Sequence, residues 1–248
     1  MLMNEDSRLW EIDLLRGIAI LMMIIFHTLF DLDFFRIIPV DVVTGFWRYF
    51  AYATASLFLF IVGVSLIISH ARAAKKVSGF PLIQKYLLRG AGIFCLGLLV
   101  TFATWLYLGE GFVIFGILHL IGISVMLSPL FFGFKKYNIF LGAIVISTGY
   151  FLTGVYGVIW FLPVGIHPAT FWSVDYTPLF PWFGVVLIGM GIGSYLYPEG
   201  TRMFPLRRLP DFVVNPLSFL GRHSLVIYLV HQPVIILLLS ILYGIPLL

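Results

Sequence analysis

A chain of 248 residues that is 61% hydrophobic and only 10% charged has too little polar surface to clothe a soluble domain of its size. A mean hydropathy of +1.06, with apolar runs near twenty residues, predicts an all-α integral membrane protein. The net charge of +4 comes from basic residues scattered over short loops, which speaks against nucleic acid as a partner, and the single cysteine, Cys95, excludes an internal disulfide or a CxxC site.

In chain order the apolar runs predict about seven transmembrane helices, over residues 13–34, 47–69, 87–107, 112–133, 138–157, 179–197 and 218–243. They form one polytopic domain over 1–248, surrounded by membrane lipids. Within the first run, Ile18–Phe30 has the length of a signal-peptide core. No small-residue cleavage site follows it, so it reads as a retained helix. The connections HARAAKKVSGFP, LGEG, FKKYN and YPEGTRMFPLRRLPD carry the breakers and polar residues expected between spans.

The loops predict the orientation. Arg8, then Arg72, Lys75, Lys76, Lys85 and Arg89, then Lys135 and Lys136, then Arg202, Arg207, Arg208 and Arg222 all fall on one side. Only Arg36 and Arg48 fall on the other. The positive-inside rule makes the N-terminus cytoplasmic and the C-terminus extracytoplasmic. The segment from Val158 to Pro178 then lies outside, and its aromatic residues suit an interfacial belt.

Ionisable residues at membrane depth are costly and mark function. In EIDLLRGIAILMMIIFHTLFDLD, Arg16 and His27 are eleven residues apart, so they share a helix face about 16 Å apart along the axis. Arg16 falls near the cytoplasmic edge and His27 beyond the midplane. Asp31 follows His27 by one turn and is placed to orient its ring. Asp13 precedes Arg16 by three and is placed to pair with it. Competing structural readings are that Arg16 snorkels to the headgroups and that His27 makes an inter-helix hydrogen bond. His119 in GILHLIGIS and His231 in GRHSLVIYLVHQPV are predicted at the same depth as His27. Ser224, Tyr228 and His231 share one face, and Gln232 adds a donor and an acceptor. Three histidines at one depth suit zinc, but no HxxxH or acidic ligand pattern accompanies them, so no metal is expected. Asp175, beside Pro178 and Pro181 at an outer mouth, either contacts a substrate or caps the next helix.

The strings EIDLLRGIAILMMIIFH, LFLFIVGVSL, GILHLIGIS, DYTPLFPWFGVVLIGMGIG and GRHSLVIYLVHQPV run in order along nearly the whole chain. Together they resemble the prokaryotic membrane family related to the catalytic domain of heparan-alpha-glucosaminide N-acetyltransferase. More broadly, they are similar to the transmembrane acyltransferase (acyltransferase-3-like) superfamily, with an arginine and a histidine in the first helix and a late S-x-x-x-Y-x-x-H pattern. The matching positions are Arg16 and His27, then Ser224, Tyr228 and His231. The resemblance implies an acyltransferase of a prokaryotic cytoplasmic membrane. It would move an acyl group, acetyl by analogy, from cytoplasmic acyl-CoA to a hydroxyl or amine of an extracytoplasmic sugar or glycolipid. The lysosomal enzymes carry a histidine in the outer segment after helix one. This chain has none between His27 and His70, so the acceptor's identity is not carried over.

On that reading Arg16, Arg89 and Arg222 hold the CoA phosphates by bidentate donors. His27 is the general base, oriented by Asp31, and His119, Tyr228 or His231 stabilises the developing oxyanion. Asp175 and Gln232 contact the acceptor. Ser224 lies too near the inner edge to be a nucleophile. Two alternatives use the same histidines otherwise: a proton relay in a proton-coupled secondary transporter, for which no internal repeat is visible, and a catalytically silent assembly protein. Gly90, Gly92 and Gly97 suit internal packing or a homo-oligomer contact.

Overall fold

The computed structural model describes residues 9–244, so Arg8 lies outside the described residues. Eight α-helices follow in order: α1 Trp10–Phe34, α2 Gly45–Ala74, α3 Phe80–Leu108, α4 Ile117–Leu127, α5 Asn138–Leu152, α6 Leu179–Leu196, α7 Asp211–Arg222 and α8 Ser224–Tyr243. Short 3-10 turns and two isolated β-bridges, Phe115 with Tyr176 and Tyr156 with His167, complete the regular structure among the described residues. Local chemistry sets the ends. Pro81 stands in the first turn of α3, where a missing N–H is harmless, and Gly244 ends α8 in the left-handed conformation, its N–H bonding the Ser240 carbonyl.

Among the described residues, α1, α2, α3, α6 and α8 are long and apolar enough to cross a membrane. They make five candidate spans, or six if α4 and α5 count as one broken span. The prediction of seven differs at 112–133 and 138–157. The helix in the first of these is only 11 residues long and in the second 15. At 1.5 Å per residue these reach about 16 and 22 Å, short of a bilayer core of about 30 Å. Residues 111–115 are drawn into pairing with a later loop: the Val174 N–H bonds Gly111 O and the Thr177 N–H bonds Phe115 O, both at 2.8 Å. At the other end Pro129 tightens the chain into 3-10 turns and Lys135 adopts φ 48°, so the two halves meet at 103°. The last predicted span, 218–243, also differs. His223 breaks the helix, and Ser218–Arg222 belong to α7.

The chain divides into two compact units. The first comprises residues 1–58 and 206–248, the second 59–205. In the first, α7 and α8 pack against α1. Asp13 meets Gly221, His27 meets His231, and Asp31 meets Gln232. The approach of α7 depends on glycine. A Cβ on Gly221 would lie 1.8 Å from the Asp13 carbonyl oxygen, and one on Gly17 would lie 2.0 Å from that of Leu217.

The second unit is built round Leu59, Leu66, Tyr86, Leu120, Phe183, Val186, Leu187 and Met190, all buried. Here too small residues let helices close. Gly142 on α5 and Gly184 on α6 face one another, and a Cβ on either would sit 2.5 Å from the other's carbonyl oxygen.

Candidate active site

In the first unit, α1 and α8 meet through two rungs of polar side chains. The upper rung is His27 with His231, their ring centroids 4.8 Å apart in an edge-to-face arrangement. The ring of His27 is held by Nδ1–H donating to the Met23 carbonyl at 2.9 Å, and that of His231 by Nδ1–H donating to the Tyr228 carbonyl at 2.6 Å. A carbonyl only accepts, so a neutral ring must carry its hydrogen on Nδ1. Each Nε2 is therefore left as a lone pair. His231 is 8% exposed, and its Nε2 is buried without a partner.

The lower rung is Asp31 with Gln232. Gln232 Nε2 donates to both carboxylate oxygens, at 2.7 and 2.9 Å. A carboxylate demands a donor, which fixes the amide orientation and leaves Gln232 Oε1 facing the other way. That oxygen is also buried without a partner. Asp31 is 3% exposed and lies one turn beyond His27, yet its bonds go to α8 and not to the imidazole. The expectation that Asp31 orients His27 is thus corrected. The carbonyl four residues back on α1 already holds the ring, and Asp31 orients Gln232 instead. An orphaned buried acceptor costs about 1–3 kcal/mol, so two on adjacent residues make an unusual concentration outside a ligand site. Tyr228 places its half-buried ring 5.6 Å from that of His231.

At the other end of α1, Arg16 pairs with Asp13 at 3.2 Å, as the i, i+3 spacing suggests. Gly221 packs on the Asp13 backbone, which brings the exposed Arg222, the last residue of α7, to the level of that ion pair. Arg89 is exposed on α3 and belongs to the second unit.

The second unit also holds His119 and Asp175, and both are engaged at the start of α4. His119 is 1% exposed and accepts the Gly116 N–H on Nδ1 at 3.2 Å, while its own N–H bonds Gly116 O. Its hydrogen therefore sits on Nε2, which faces Thr101 Oγ1 at 3.5 Å. Phe94 and Phe115 enclose the ring, with centroids 5.1 and 5.6 Å away. Asp175 Oδ2 accepts the Ile117 N–H at 3.1 Å and Oδ1 accepts the Thr177 hydroxyl at 2.7 Å. Of the two roles open to Asp175, the bonds describe a cap, but on α4 and not on α6, the helix that follows it in sequence. Burial pushes its carboxyl above the usual carboxylate range. The Thr177 hydroxyl, the Ile117 amide and His119 act in the opposite direction.

Gly116 and Thr101 escaped the sequence reading. A glycine three residues before a histidine at a helix start was the available signal. Nothing local pointed to Thr101. Among the described residues, no group of three or more His, Cys, Asp or Glu side chains is arranged to hold a metal ion.

A family model described as "Heparan-alpha-glucosaminide N-acetyltransferase, catalytic" matches residues 8–233. That range includes both rungs, α4 and the ion pair near the start of α1. Comparison with curated proteins and with solved structures returns no match.

Proposed function

The chain belongs to the heparan-alpha-glucosaminide N-acetyltransferase catalytic family, and from that premise we propose that it transfers an acetyl group from cytoplasmic acyl-CoA to an amine on an extracytoplasmic, sugar-containing acceptor. The observation that carries this reading is the upper rung. His27 presents an Nε2 lone pair on a ring held by a backbone carbonyl, inside a chain whose helices suit a membrane. A general base needs that free nitrogen at a fixed place, and a positioned base contributes about 10²- to 10⁴-fold.

In the proposed reaction His27 Nε2 takes a proton from the attacking amine as nitrogen bonds the thioester carbonyl carbon. The C–S bond breaks, and His27 returns that proton to the departing thiolate. Tyr228 supplies a hydrogen-bond donor for the charge developing on the carbonyl oxygen. Arg16 and Arg222 receive the phosphates of the donor at the basic side. The run of α1 from Arg16 to His27, about 16 Å, matches the reach of a pantetheine arm. Asp31 acts through Gln232, and His119 and Asp175 shape α4 and do no chemistry. The transporter alternative gains no support, since the family match is to an acetyltransferase.

The test uses the full chain in detergent with labelled acetyl-CoA and an amine-bearing glycoside. The wild type should transfer label to the amine and His27→Asn should not. Asn keeps an N–H where imidazole has Nδ1, so the bond to Met23 survives and only Nε2 is lost. Full activity in His27→Asn would remove the base from this reading, and no transfer by the folded wild type would remove the reaction.

A further inference from the structure

Resting on the reading above, we infer that His231 is a second base, which takes the first proton from an acceptor that arrives as an ammonium ion, with Gln232 Oε1 accepting a hydrogen bond from the same group. The donors on the two rungs are already spent. The Nδ1–H groups of His27 and His231 are bonded to backbone carbonyls, and the Gln232 amide nitrogen is bonded to Asp31. What these four side chains have left to offer is His27 Nε2, His231 Nε2 and Gln232 Oε1, all acceptors, with a carboxylate beside them. Two of the three are buried and without a donor of their own. A hydroxyl brings one hydrogen to such a site. An ammonium brings three.

The chemistry requires two bases for the same reason. The balanced reaction is R–NH3+ plus CH3CO–S–CoA giving R–NH–COCH3 plus CoA–SH plus H+. Nitrogen loses two protons. One must leave before attack, because an ammonium has no lone pair, and this one goes to His231 Nε2 and then to water. The other leaves as the N–C bond forms, and His27 carries it to the sulfur. A single histidine, as a hydroxyl acceptor would need, leaves the second lone pair unexplained.

The groups facing His231 are His27 from α1 and Tyr228 on α8 itself, while Asp31 of α1 bonds the neighbouring Gln232. Asp211 and Arg222, the charged residues of α7, lie at its two ends.

The experiment compares two acceptors of equal size on the purified full chain with acetyl-CoA: 2-aminoethyl glucoside, an ammonium at neutral pH, and 2-(aminooxy)ethyl glucoside, which is neutral there. The variant is His231→Asn, which retains a donor for the Tyr228 carbonyl. We expect it to slow transfer to the alkylamine about 100-fold at pH 7 and to the aminooxy probe less than about threefold. Its rate on the alkylamine should climb as pH approaches the amine's own pKa, where the wild-type rate is flat. His231→Gln, which retains a polar group at the Nε2 position, serves if the Asn variant does not fold and should show the same split. Equal slowing on both probes with an unchanged pH profile would overturn the role of His231 and leave the transfer reaction standing. If the wild type acetylates neither probe, the reaction proposed above fails and this inference with it.

Discussion

His27 and His231 in the first unit are tethered through Nδ1 alone, whereas His119 in the second has both ring nitrogens engaged. All three look alike in sequence, each a histidine in an apolar run. The difference lies in what the backbone offers. In the middle of a helix the backbone N–H groups are spent on the helix, and only a carbonyl, through its second lone pair, can take Nδ1–H, which leaves Nε2 free. At a helix start the unclaimed groups are N–H donors, so His119 is drawn in as an acceptor, with Asp175 beside it on the next amide. The same residue type is therefore left with a lone pair in one place and becomes a cap in the other.

Replacing each ring tests that contrast, and the largest effect belongs to the first unit. His27→Asn should lower transfer by 100-fold or more, on the order of 3 kcal/mol of transition-state stabilisation, while its thermal unfolding in detergent stays near wild type. His119→Ala should do the reverse. Losing a packed ring and a cap costs about 2–4 kcal/mol of stability, read as a lower Tm, while transfer per folded molecule is unchanged. A collapse of activity in folded His119→Ala would erase the distinction.

Smaller effects sharpen it. Gln232→Leu removes Oε1 and leaves Asp31 without its donor. We expect KM for the amine to rise about tenfold with little change in kcat, measured by initial rates. The smallest effect concerns Asp175. Its folded pKa lies above the unfolded one, so the stability it contributes is present below the unfolded pKa and is lost as pH rises through the folded value. Asp175→Asn cannot ionise. The Tm of the variant relative to wild type should therefore climb from about pH 4 towards neutrality, a trend followed by thermal unfolding at stepped pH. A flat difference would mean that the carboxyl ionises as easily in the fold as outside it.

Much of this was legible in the sequence, and the failures have physical causes. The face shared by Arg16 and His27 follows from helical periodicity in a run with no breaker, and α1 is continuous over Trp10–Phe34. Hydropathy alone misread residues 112–133. FVIFGILHLIGISVMLSPLFFG is apolar enough to cross, but Pro129 and the pairing of 111–115 with 174–177 depend on backbone bonds that composition does not reveal. The companionship of His27 and His231 was suggested by depth, since both lie on long helices where residue count measures height. The Asp31–Gln232 bond was not foreseen. A carboxylate one turn from a histidine invites a local pairing, and its partner 201 positions away becomes visible only when α8 is laid against α1.

The claim at the centre of this account is the placement of one hydrogen on each ring, and nitrogen-15 NMR of histidine-labelled protein reads it directly, with single His→Asn variants assigning the signals. Near neutral pH we predict the Nδ1–H tautomer for His27 and His231 and the Nε2–H tautomer for His119. A His27 ring with its hydrogen on Nε2 would contradict the account, because no lone pair would then face the acceptor.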